Sequence, residues 1–289
     1  MRILFAAAIT VLLAAGAMRP ARADQDRYFT TSDGIRLHYI EAGTGPSLVF
    51  VPGWTMPAWI FASQIAVFSR HYHVVALDPR SQGDSEVATS GHNQDRRGQD
   101  IAELLDQLGP RPVVLIGWSL GVLDSLAYLH GHGDGRIAGL VLIDNSVGED
   151  PAPVPERGPQ PALRHRRVAP VPREVSMRAF VAGMFARPQP AAYIDELTEA
   201  CLRTPPPAAA ALLAYPVPRS YWKAAVYSTD KPILYLVRPR LAGQAANLAA
   251  HDAAAESMVL NGVGHAMFVD DPDGFDRILQ SFLVRRVWR

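Results

Sequence analysis

Cysteine is nearly absent: Cys201 is the one thiol in 289 residues. No disulfide can form within the chain, so the fold must stand on its core. An excess of charge is lacking too, with 28 Lys and Arg against 28 Asp and Glu, which removes any overall pull toward a polyanion such as nucleic acid. A stretch apolar enough to span a membrane is also missing. The apolar centre of "MRILFAAAITVLLAAGAMRPARAD" runs from Ile3 to Ala17, short of the ~20 residues a spanning helix needs. Arg2 before it, and Ala21 and Ala23 after it as an A-x-A cleavage site, read as a secretory signal over residues 1–23, removed after Ala23. The expected mature protein is periplasmic or secreted, with no stable membrane insertion.

What is present is an alternation of strand and helix patterns. "RYFTTSDGIRLHYIEAG" alternates polar and apolar residues around Asp33-Gly34, a hairpin turn pair. Short apolar runs follow: "SLVFV" at 47–51, "HVVAL" at 73–77, "VVLIG" at 113–117 and "LVLI" at 140–143. Runs apolar on both faces suit central parallel strands covered by helices. In "DIAELLDQLG", Ile101, Leu104, Leu105 and Leu108 share one helical face and Gly109 can end the helix. From about Val147 to Tyr227 the texture changes, with fourteen of the 24 prolines between Pro151 and Pro218 and no clear strand. The alternation resumes with "PILYLV" at 232–237, an Ala-rich helical stretch near 245–255, "SMVLNG" at 257–262 and a closing helix, "GFDRILQSFLVRR". There is no internal repeat, and the length suits one large α/β domain carrying an insertion.

In "VVLIGWSLGVLDSLAYL" a buried strand runs into a helix through Ser119, with Gly117 and Gly121 on either side. The two glycines allow a sharp strand-to-helix turn that exposes the Ser119 hydroxyl at the carboxyl edge of a sheet, the pattern of a nucleophile elbow. The plainer reading is a helix start with Ser119 as its N-cap. A serine hydroxyl is a poor nucleophile at neutral pH, so the elbow reading requires a base and donors for an oxyanion.

The motifs "VFVPGW", "ALDPRSQGDS", "GWSLG" and "GHAMFVDDP" stand in the order found in the α/β-hydrolase superfamily, which the chain resembles over nearly all of its length after the signal. The resemblance implies an α/β fold: a mostly parallel central sheet of about eight strands flanked by helices, with a largely helical, Pro-rich cap. Residues 24–146 and 228–289 then form the core and 147–227 the cap. His265, on the loop after the last strand, is implied as the general base. The commonest place for the acid, the loop after "PILYLV", holds Arg238 and Arg240 instead, with no Asp or Glu before Asp252. Haloalkane dehalogenases and certain lipases of the superfamily carry the acid one strand earlier, which here is Asp144 in "LVLIDNS". Ser119, Asp144 and His265 are therefore the expected triad; the plainer role for Asp144 is capping its own loop, and Asp252 is the alternative acid. The implied oxyanion donors are the backbone N–H groups of Leu120 and Trp54. Asp78, Arg80, Gly83 and Ser85 resemble the superfamily's structural loop and receive no catalytic role.

The function this implies is an exported serine hydrolase acting on a small-molecule carboxylic ester, or on a lactone or thioester, through an acyl-enzyme and without a cofactor. Ser119 argues against the dehalogenases and epoxide hydrolases of the superfamily, whose elbow carries Asp. A triad-based lyase, a cofactor-free haloperoxidase and a noncatalytic binding protein are the alternatives. His71 with His73, and His130 with His132, lack the further ligands that a metal site needs. Arg157, Arg164, Arg166, Arg167, Arg173, Arg178 and Arg187 make the first half of the cap basic, read as a solvated face rather than an anion site. Met177, Phe180, Met184, Phe185, Tyr215, Tyr221 and Trp222 are candidates either to line a pocket or to pack. The sequence sets no oligomeric state.

Overall fold

The computed structural model describes residues 25–151 and 171–288. The leader expected at residues 1–23 and the early cap arginines Arg157 to Arg167 lie outside the described residues.

Eight strands form one sheet: β1 (Gln25–Thr30), β2 (Arg36–Gly43), β3 (Ser47–Val51), β4 (His73–Asp78), β5 (Val113–Trp118), β6 (Ile137–Ile143), β7 (Ile233–Val237) and β8 (Ala255–Val259). Their order is β1-β2-β4-β3-β5-β6-β7-β8. β1, β2 and β4 pair antiparallel, and every pairing from β4 through β8 is parallel. Every residue of β3, β5 and β7 is buried, as a sheet covered on both faces demands. Side chains alternate between two cores. Val114, Ile116 and Trp118 face one, with α1 (Ala62–Phe68) and α10 (Pro272–Phe282). Val113 and Leu115 face the other, with α2 (Gln94–Gln107), α3 (Leu120–His132) and α8 (Ala242–His251).

Among the described residues between β6 and β7 lie four helices: α4 (Arg173–Ala182), α5 (Ala191–Leu202), α6 (Pro206–Leu212) and α7 (Arg219–Val226). Each is preceded at its N-cap by a proline: Pro172, Pro190, Pro205 and Pro218. Proline's fixed φ and missing N–H cost nothing at a helix entrance, so residues that gave this segment an irregular texture mark its helix starts. Met177, Val181, Ile194 and Leu197 of α4 and α5 join the first core, while Trp222 and Ala225 of α7 join the second.

The described cap arginines are engaged within the protein. Arg173 donates to the Leu202 and Thr204 carbonyls, Arg178 pairs with Asp195 at 2.7 Å, and Arg187 donates to the Asp270 carbonyl at 2.7 Å.

Several element boundaries differ from the sequence pattern, among them α8, at Ala242–His251 rather than near 245–255. α2 begins at Gln94, because Asn93 caps it by accepting the Arg96 N–H at 3.0 Å, and its buried Arg97 and Asp100 disguise the apolar face. β6 begins at Ile137, where it pairs with Val113 across an irregular register. β8 covers 255–259 rather than 257–262; it is an edge strand with only Ala255 buried, so apolar patterning does not mark its ends.

Candidate active site

Ser119 connects β5 to α3 with φ 55° and ψ −119°, a conformation that L-residues rarely hold. The turn is built on close backbone approaches. A Cβ on Gly117 would lie 2.3 Å from the Gly121 carbonyl, and one on Gly121 would lie 2.1 Å from the Val51 carbonyl. Only glycine fits either position. The Ser119 side chain makes no capping bond to the helix it precedes. Its oxygen lies 2.8 Å from His265 Nε2.

His265 stands on the loop between β8 and α9 (Met267–Asp270). Its Nδ1 is 2.6 Å from Asp144 Oδ2, which sets the tautomer: Nδ1–H donates to the carboxylate, and Nε2 is left to accept the serine proton. The loop is held from below and above. Trp118 Nε1 donates to the His265 carbonyl at 2.9 Å, and Asp270 accepts the Gly264 N–H at 2.6 Å together with the Ala186 N–H of the cap at 2.8 Å.

Asp144 ends β6 with φ 50° and no solvent exposure. Its backbone N–H donates to the Leu236 carbonyl at 2.8 Å. Oδ1 accepts the Arg238 backbone N–H at 3.0 Å, and Oδ2 accepts Arg238 Nε at 2.6 Å as well as His265. Burial alone would push this carboxyl up. The hydrogen bond and charge of His265, then the charge and backbone N–H of Arg238, hold it below the ordinary carboxylate value. Asp252, the alternative acid, instead closes α8 and accepts the Ala254 N–H at 2.8 Å.

The loop after β3 lies flush against Ser119. A Cβ on Gly53 would sit 2.9 Å from Ser119 Cβ and 3.3 Å from its oxygen, so Gly53 abuts Ser119, and Leu120 follows Ser119 as the first residue of α3. Gln82 fixes that loop by donating to the carbonyls of Gly53 at 2.9 Å and Met56 at 3.0 Å. Its own oxygen accepts Arg97, which is paired with Asp124 in the interior, and Tyr215 from the cap donates to the same Asp124 at 2.7 Å. The "ALDPRSQGDS" segment thus supports the site through Gln82, which the sequence reading passed over because a lone glutamine carries no pattern.

A cavity of about 580 Å³ opens beside His265, lined by Ala179, Phe180, Gly183, Met184, Arg238 and Arg240. Of the cap residues singled out in the sequence, Phe180 and Met184 line it, Met177 is core, and Tyr221 and Trp222 pack with α7 toward the second core.

The histidine pairs do not converge on a common point: His73 bonds Ser47 and Glu41, His130 packs on Tyr221 and His132 on Tyr128. Among the described residues, His38, Asp78 and Asp84 bring ligand-type atoms within 4.8 Å of one another. The His38 nitrogens already contact Asp78 and Asp26, and the Asp78 oxygens accept the Ala58 and Asp84 N–H groups as well.

A model of the alpha/beta hydrolase family matches residues 48–278. The chain belongs to this family. Among the relatives of this family member is a non-heme haloperoxidase from Rhodococcus erythropolis, 36% identical over 117 residues. That match covers 40% of this chain and 43% of the relative, so the chain spans less than half the length of the curated relatives it matches. Among solved structures, an esterase from Rhodococcus sp. ECU1013 superimposes with a TM-score of 0.74 at 22% identity, covering 90% of this chain and 99% of that one. A bromoperoxidase from Bacillus anthracis gives 0.75 at 17% identity, covering 90% and 100%. These two likenesses establish the shared fold.

Proposed function

We propose that this family member is an exported serine hydrolase that cleaves a carboxylic ester, or a lactone or thioester, through an acyl-enzyme. The observation that carries this reading is the continuous relay from Ser119 through His265 to Asp144, at 2.8 Å and 2.6 Å. In the proposed reaction the Ser119 oxygen attacks the acyl carbon as its proton passes to His265 Nε2, and Asp144 stabilises the imidazolium. The Trp54 and Leu120 N–H groups receive the oxyanion. Collapse of the tetrahedral adduct expels the alcohol, which takes the proton back from His265. Water then gives a proton to His265 as it attacks the acyl-serine, and collapse of this second adduct releases the acid as His265 returns the proton to the Ser119 oxygen. No step draws on a cofactor.

The test is mass spectrometry of the purified protein after treatment with a fluorophosphonate probe, followed by peptide mapping. Labelling at Ser119 that disappears in His265→Ala supports the reading. An unlabelled but folded protein favours a noncatalytic binding role. Labelling without ester turnover favours the lyase or haloperoxidase alternatives, the second of which the haloperoxidase relative also favours. Export is checked by the N-terminal sequence of protein recovered outside the cytoplasm, expected to start at Asp24.

A further inference from the structure

The loop after β7 carries no acid, and its arginines turn toward the acid of the neighbouring strand. Arg238 reaches Asp144 twice: its backbone N–H meets Oδ1 at 3.0 Å and its Nε meets Oδ2 at 2.6 Å. Arg240 directs its guanidinium to the Asp144 carbonyl at 3.4 Å. Among the described residues, the other titratable groups facing Asp144 are His265, from the loop after β8, and Tyr235, from β7, whose hydroxyl donates to the Asn145 carbonyl at 2.8 Å.

Two physical consequences follow. A carboxylate with no solvent exposure needs donors for both oxygens, and His265 supplies one for Oδ2 alone. The Arg238 backbone satisfies Oδ1, which stops the carboxylate from turning away from the imidazole. The charge consequence concerns Oδ2, whose negative charge is drawn on by two cationic or polar donors at the same distance of 2.6 Å. A carboxylate that divides its charge in this way stabilises an imidazolium less than one that gives it undivided.

We propose that Arg238 is a positioning residue of the relay, clamping both Asp144 oxygens and sharing the carboxylate charge with His265. This inference rests on the serine-hydrolase reading above. It assigns a use to a residue type that the sequence pattern marked only as a departure.

The experiment compares Arg238→Gln and Arg238→Lys with the wild type, using kcat and KM for a neutral ester, p-nitrophenyl acetate, across pH, and proton NMR of the His265 ring. In Arg238→Gln, kcat is expected to fall about 10-fold with KM within about 2-fold, and the acid limb of kcat/KM and the His265 resonances to move about one pH unit higher. Arg238→Lys keeps the charge without the planar fork, so its acid limb should return close to the wild-type position while kcat stays reduced. A change confined to KM, or an acid limb at the same pH in all three proteins, overturns the proposal. If Arg238→Gln does not fold, Arg238→Lys still decides: the backbone contact to Oδ1 survives either substitution, so a lysine variant with unchanged kcat refutes the side-chain half of the clamp, and the proposal with it. A wild type that turns over no ester defeats the hydrolase reading alone, because the NMR titration needs no turnover to report the shared charge.

Discussion

The sheet and the cap are held by different means. Phe50, Ile116, Leu142 and Leu236 are wholly buried in strands that are paired on both sides, so the sheet is stabilised by apolar area. The cap joins it through apolar stripes of α4, α5 and α7, but its edges are set by polar contacts. Glu149 receives Lys223, Tyr227 and Asn247; Asp124 receives Tyr215; and Asp270 receives the Ala186 and Arg187 N–H groups. Loss of one buried side chain is felt across a close-packed core, whereas loss of one anchor loosens one joint. The relay lies at the seam, with Ser119 and Asp144 directly after the sheet strands β5 and β6 and His265 on a loop that the cap grips through Asp270.

The strongest test of that division separates chemistry from stability. Asp144→Asn should lower kcat by ~10⁴-fold, through the wrong tautomer of His265, while the thermal unfolding midpoint changes little, as read by ester kinetics beside circular dichroism. Ile116→Ala should do the reverse. It removes a fully buried side chain of β5 and is expected to cost about 2–5 kcal/mol in urea unfolding, with kcat of the folded protein close to wild type. If Ile116→Ala lowered kcat as strongly as Asp144→Asn, the site would depend on the core far more than its hydrogen bonds imply.

The smallest effect belongs to the cap. Burial pushes the Glu149 carboxyl up, but Lys223, Tyr227, the Asp150 N–H and Asn247 together bring it down to about 2. A carboxylate held lower in the folded state stabilises it fully above the ordinary value of 4.5, and this contribution is lost as pH falls toward about 2. Glu149→Gln should therefore lower stability by about 1–2 kcal/mol at pH 7, and the difference from wild type should close between about pH 4.5 and 2. Urea midpoints measured across that range check it, and a difference that did not vary with pH would remove the charge from the anchor.

The strands and the elbow were legible because their causes are local. An all-apolar five-residue run such as "ILYLV" announces its burial, and the crowding that admits only glycine at 117 and 121 writes itself into adjacent positions. Asp144 became visible through the family resemblance once the loop after "PILYLV" was seen to hold arginines. The supports were not legible because each joins residues far apart in the chain: Arg238 with Asp144 across 94 residues, Arg187 with Asp270 across 83, Lys223 with Glu149 across 74 and Gln82 with Gly53 across 29. No periodicity records such pairings. The cap prolines were misleading for a related reason, since a proline before a helix and a proline in a loop look alike until the following turn is seen.

Trp54 belongs to both layers. Its backbone follows Gly53, which abuts Ser119 and precedes the proposed oxyanion donor, while its indole N–H donates to the Ala209 carbonyl of α6 at 2.7 Å and its ring meets Phe180 of α4 edge-on at 5.2 Å. In the proposed reaction, a cap displacement that widens the way in pulls on the same residue whose N–H is to receive the oxyanion. On that proposal, admission of a substrate and readiness for the chemical step are set against each other at one side chain, so a bulky acyl group that wedges α4 or α6 outward would loosen the donor it needs next. Selectivity for size can then arise in the rate of the chemical step, with no pocket wall having to refuse the substrate.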